Sequence, residues 1–115
     1  MFETQGFKTM KGLTDAVVQR QELLSNNLAN IETKGYVRQD MDFGRLLGEL
    51  KNDTSSNTNN EGALARARYR DNSRPMNLEK EMSSLYDNHL RYLLLTKSIS
   101  HHFEHMKKAL EVRAS

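Results

Sequence analysis

Residues 78–110 read LEKEMSSLYDNHLRYLLLTKSISHHFEHMKKAL, and within them positions 78, 82, 85, 89, 92, 96, 99, 103, 106 and 110 alternate steps of four and three without a slip. This is the rhythm of a heptad seam, which keeps one stripe of a helix turned toward a partner helix. The seam residues are Leu78, Met82, Leu85, His89, Tyr92, Thr96, Ile99, Phe103, Met106 and Leu110, and eight of the ten are apolar or aromatic. His89 and Thr96 place polar groups on the seam, where such residues fix register at a cost in stability. Pro75 disfavours helix at Arg74, Asn77 is a good N-cap, and Glu79 and Glu81 suit the positive end of the helix dipole, so the helix is expected to start at Leu78. Lys107, Lys108 and Arg113 suit its C-terminal end.

Tyr86, Leu90, Leu93 and Leu94 fall on the side of this helix roughly opposite the seam. Its middle is therefore apolar nearly all round, and one partner helix cannot cover both faces. These four residues are the candidate intersubunit stripe. An uncovered stripe of that size invites association.

Nearer the N-terminus, Met10, Val17, Leu24 and Ile31 recur every seven positions, with Phe7, Leu13 and Leu28 close to the same face. They predict an amphipathic N-terminal helix between Phe7 and Ile31, about 33 Å long. Gly12 weakens it by about 1 kcal/mol relative to alanine. Asn26, Asn27 and Asn30 crowd its end, and Thr33-Lys34-Gly35-Tyr36 reads as a turn with Gly35 at positive φ. Met10, Val17, Leu24 and Ile31 are the complementary half of the helix-pairing seam, with the asparagine amides free either to cap the helix end or to reach a neighbouring molecule.

Periodicity fades between Gly44 and Pro75, and residues 53–62 hold no apolar side chain able to anchor them. That stretch is expected to be a surface loop. The expected fold is all-α: 1–43 an N-terminal helix and turn, 44–76 a flexible irregular central segment, 77–115 a long C-terminal helix. The terminal helices pack as an antiparallel-type coiled-coil hairpin and form one domain. An alternative stays open, a three-helix bundle in which Phe43 to Leu50 or Ala63 to Tyr69 covers the surplus face.

Composition narrows the function. The chain has 115 residues, no cysteine, 28% charged residues and a net charge of +2. A core of this size is small and gains from partners. Without cysteine there is no disulfide framework, thiolate metal site or thiol nucleophile. No run of 18 apolar residues spans a membrane, and residues 1–12 lack the apolar core of a cleavable signal. Arg66, Arg68, Arg70 and Arg74 surround Tyr69, a pattern compatible with phosphate or single-strand contacts, but the near-neutral balance favours acidic neighbours or solvent and no nucleic acid is expected. His101, His102 and His105 with Glu104 match the letters of an inverted zinc-protease motif. Phe103 lies on the seam, so His101 and His105 point away from it, and no further ligand is recognisable. No phosphate loop or nucleophile turn is present, and neither a cofactor nor an enzymatic activity is expected.

The segment Asn26-Asn27-Leu28-Ala29-Asn30-Ile31-Glu32-Thr33-Lys34-Gly35-Tyr36-Val37-Arg38 closely resembles the signature of bacterial flagellar rod and hook proteins. Asp40-Met41-Asp42-Phe43, and Asn77-Leu78-Glu79-Lys80-Glu81-Met82 leading into Leu90-Arg91-Tyr92, look most like the proximal members of the basal-body rod protein family. The resemblance covers residues 7–43 and 72–112. It departs at Asn72-Ser73-Arg74-Pro75-Met76, where the family has a glycine- and asparagine-rich turn. It implies an axial structural protein, exported from the cytoplasm by the flagellar type III apparatus and polymerised helically on the periplasmic side at the base of the rod. The partners it implies are further copies of the chain, other flagellar rod proteins, and a FliE-like adapter with the flagellar export gate. The motif residues it marks are Asn26, Asn27, Leu28, Ala29, Asn30, Thr33, Gly35 and Tyr36.

Overall fold

The computed structural model describes residues 5–52, 60–73 and 75–114. In chain order it contains α1 (Gln5–Ala29), β1 (Arg38–Met41), α2 (Phe43–Asn52), α3 (Glu61–Ala67), β2 (Arg68–Asp71) and α4 (Leu78–Ala114). The protein is mostly helical, and its long N- and C-terminal helices pack against each other. Phe7 of α1 meets His102 and Phe103 of α4, Val17 meets Asn88, and Asn27 meets Glu81. Residue numbers thus rise along α1 as they fall along α4.

The start of α4 follows its local chemistry. Asn77 accepts a hydrogen bond from the Lys80 amide at 3.2 Å through its side chain, and its carbonyl accepts one from the Glu81 amide at 2.9 Å. At the end of α1, Asn30 donates to the Asn26 carbonyl at 2.8 Å, and the Thr33 hydroxyl donates to Asn30 Oδ1 at 3.1 Å. The chain then reverses at Gly35, whose φ of +82° lies in the left-handed region that favours glycine.

In place of a wholly irregular run, the described parts of the central segment 44–76 hold most of α2 and all of α3 and β2. α2 buries Leu46 and Leu50, one helical turn apart, and α3 buries Leu64 and Ala67. Asp42 starts α2 by accepting from the Arg45 amide at 3.1 Å. With Ala16 and Met41 these four residues form the apolar core, and Leu13, Leu23, Phe43 and Ala63 pack around it. Of the expected loop 53–62, residues 53–59 lie outside the described residues, while Asn60 is buried and Glu61 opens α3. Gly12 is the point where α1 admits α2: a Cβ there would stand 2.7 Å from Leu50 Cδ1 and 3.1 Å from Asn60 Nδ2.

The purely helical expectation is corrected by a two-stranded antiparallel sheet, in which Arg38 stands opposite Asp71, Gln39 opposite Arg70, Asp40 opposite Tyr69 and Met41 opposite Arg68. Period-2 apolar patterning cannot reveal these strands. β1 encloses two charges, Arg38 and Asp40, beside Met41, and no residue of β2 is fully buried.

Candidate functional site

Asn27 lies on the buried side of α1 and is completely enclosed. Its Nδ2 donates to the Gln39 carbonyl at 2.8 Å, and its Oδ1 accepts from the Gln39 amide at 2.9 Å. The side-chain amide therefore imitates a neighbouring strand and satisfies both backbone groups of one β1 residue, which burial would otherwise leave costly. The Tyr36 hydroxyl donates to the same Oδ1 at 3.4 Å. Of the motif residues, Asn27 is thus spent inside the molecule and Asn30 caps α1, whereas Asn26 is exposed. Leu28 is half-buried, and Ala29, Thr33 and Gly35 are exposed.

Beneath Asn27 lies a network of buried charges. Arg38 donates from Nε to Glu81 Oε1 at 2.6 Å, from one terminal nitrogen to Asp71 Oδ2 at 3.1 Å, and from the other to Asp40 Oδ2 at 3.4 Å. Arg20 donates to Asp40 Oδ1 at 2.7 Å and stands 3.6 Å from Asp87. Both Arg38 and Glu81 are only 2% exposed. This joint ties α1, β1, β2 and the first turn of α4 together. Burial opposes the Arg38 charge, but Glu81, Asp40 and Asp71 outweigh it and push its pKa up. Burial likewise opposes the Asp40 carboxylate, yet the bonds from Arg20 and the Met41 amide hold its pKa below the usual value. Asp71 is held down to about 2, chiefly by hydrogen bonds from Ser73 and then by Arg38.

Farther along α4, Asn88 is 1% exposed and donates to the Val17 carbonyl at 2.9 Å and to Gln21 Oε1 at 3.2 Å. Among the described residues, the fully buried ones on α4 are Glu81 and Asn88, both polar. The inward line runs through Glu81, Ser84, Leu85, Asn88, Leu95, Thr96, Ile99, His102 and Met106. It mixes the seam residues Leu85, Thr96, Ile99 and Met106 with residues that precede a seam position, and its two fully buried members, Glu81 and Asn88, are of the second kind, held by fixed partners at the joint and on α1.

The seam residues are placed accordingly. Val17 and Leu24 are buried, and Met10, Ile31, Leu85, Ile99 and Met106 are half-buried. Leu78, Met82, Tyr92, Phe103 and Leu110 are exposed by 40 to 56%. The stripe residues Tyr86, Leu90, Leu93 and Leu94 are exposed by 43 to 68%. Leu94 also borders an open groove of about 390 Å³ between α2 and α4, floored by Leu13 and Val17 and walled by Phe43, Leu47 and Leu95. Arg91 closes one rim, its guanidinium 4.9 Å above the Phe43 ring.

The histidines do not converge. His102 stacks on Phe7 at 5.6 Å, His101 and His105 are exposed, and no group of three metal-ligating side chains occurs among the described residues. Arg66 pairs with Glu49 at 2.9 Å, Arg68 and Arg70 are exposed on β2, and Arg74 lies outside the described residues. No described helix is long and apolar enough to cross a membrane.

Apolar periodicity singles out none of Arg20, Asp40, Glu81 and Asn88. The available signal was charge pairing: Arg38 follows the asparagine-rich motif directly, and Glu81 and Asn88 sit seven apart immediately before seam positions 82 and 89. The apolar heptad concealed that second, polar heptad. No family model matches the chain, and no curated protein matches it in sequence.

Proposed function

We propose that the chain is a structural subunit of the bacterial flagellar basal-body rod, of the proximal type, which self-assembles helically and transmits torque in the axial drive shaft. The observation that carries this reading is the long helix α4, whose fully buried residues, among those described, are polar and which leaves Met82, Tyr86, Leu90, Leu93 and Leu94 open. A 37-residue helix with so little buried apolar surface has its stabilisation incomplete in the isolated molecule. Neighbouring copies complete it. In this reading the terminal helices act as an antiparallel-type coiled-coil hairpin, with Leu78, Met82, Phe103 and Leu110 covered when subunits stack. Other rod proteins lie above, a FliE-like adapter and the export gate lie below, and the chain reaches the periplasmic side through the type III export apparatus.

The test is the double substitution Leu93→Asp with Leu94→Asp. Both side chains are exposed, so the melting temperature of the isolated chain is expected to change by no more than a few degrees. Incorporation into rods, and with it motility, is expected to be lost because carboxylates would be buried without partners. Normal rods carrying this variant overturn the assignment. A discrete soluble complex disrupted by the same variant would instead identify a helical adapter or secretion chaperone.

A further inference from the structure

The free edge of β2 has a defined polarity. Gln39 exchanges both backbone bonds with the Asn27 side chain, so its peptide groups face α1 and away from β2. Backbone direction alternates along a strand, so Arg38 and Asp40 face β2, as does Asp42, whose amide donates to the Ala67 carbonyl at 2.8 Å. The Ala67 carbonyl at the end of α3 and, on β2, Tyr69 and Asp71 therefore face β1; Arg70 turns both its N–H and C=O outward, and Arg68 its C=O, while the Arg68 N–H closes the last turn of α3. Both residues are exposed, and neither has an acidic partner among the described residues. The inner edge of the sheet is closed by Asn27, while among the described residues no further strand pairs with the outer edge, which is lined by two arginines.

We propose that the outer edge of β2 is a docking site for an extended acidic segment of a partner protein, which adds as a third antiparallel strand against Arg68–Arg70. Strand addition supplies the affinity through main-chain hydrogen bonds, and the side chains opposite supply the selectivity. A second copy is the wrong occupant. Antiparallel pairing of two such edges through their outward peptide groups sets Arg68 against Arg70 or Arg70 against Arg70, and like charges directly opposite destabilise a pair. A strand with Asp or Glu at those positions reverses the sign. This inference rests on the β2 geometry alone and is independent of the assembly reading.

The experiment titrates the full chain with a labelled seven-residue peptide that alternates Asp or Glu with Val or Thr, read by fluorescence anisotropy and by amide exchange at Arg70. Binding with at least tenfold slower exchange at that amide is expected. N-methylating the peptide on its pairing edge should weaken binding at least tenfold, as should Arg70→Pro, which removes an outward donor and leaves the ladder to β1 intact. Arg68→Glu with Arg70→Glu should reject the acidic peptide and accept its lysine counterpart. Equal affinity for the N-methylated peptide, equal affinity for a neutral alternating peptide, or no binding at millimolar concentration overturns the proposal. So does a dimer that Arg70→Pro abolishes, which would make the edge a contact between copies.

Discussion

Arg38 concentrates the cost of burial in one side chain, and that makes its removal informative. Arg38→Met leaves Glu81 enclosed without its cation, which is expected to cost about 3–5 kcal/mol, enough to lower the denaturation midpoint sharply. Adding Glu81→Met should return most of that loss, because an apolar pair avoids the desolvation of both charges; chemical denaturation of the three proteins measures it. The same joint sets the acid limit. Asp40 and Asp71 have folded pKa values below their unfolded ones, so each binds a proton more weakly when folded. Their contribution is full above the ordinary carboxylate value near pH 4 and disappears as pH falls through the folded values, to about 2 for Asp71. Asp40→Asn is accordingly expected to flatten the loss of stability below about pH 4 while lowering stability at pH 7, as followed by melting against pH. None of this was legible as periodicity. Gly35, by contrast, could be read directly, because a turn after a helix end needs a residue that adopts positive φ.

The helices differ in how far their sequences announce them. α4 begins at Leu78, where Asn77 and the Pro75 restriction place it, and α1 extends through the stretch marked by Met10, Val17 and Leu24. α2 and α3 are short, and glycines at 44, 48 and 62 dilute their pattern, so their amphipathic character emerges only once α1 presents a surface for them. Gly12 belongs to that surface, a role hidden when it is judged by helix propensity alone. Gly12→Ala gains about 1 kcal/mol of propensity but forces the buried Leu50 side chain aside, at about 1–3 kcal/mol, so a net loss is expected. Gly35→Ala meets open space and loses about 1–2 kcal/mol through its backbone alone. Asparagine should rescue stability at position 35, and serine should not at position 12. Thermal melts of the four variants separate a packing glycine from a conformational one.

At the scale of the whole molecule, the extents are 64 × 27 × 16 Å, with α4 forming the long edge. The apolar core sits among α1, α2, α3 and β1, while α4 is fixed in rotation by Glu81 and Asn88 and turns its apolar stripe outward. The joint and core thus hold the fold together while the stripe stays uncovered. The heptad rhythm revealed the long helix, but not its rotation, since that depends on contacts between charges far apart in sequence, such as Arg38 and Glu81. The same limit hid the small sheet, in which β1 encloses two charges. The most direct measurement is cryo-electron microscopy of basal bodies isolated from cells in which this chain carries a label. The proposed rod role predicts several copies arranged helically at the base of the rod, with Tyr86, Leu90, Leu93 and Leu94 covered by neighbouring subunits. Basal bodies that are complete without the label, with the chain recovered only as a soluble species, would contradict it.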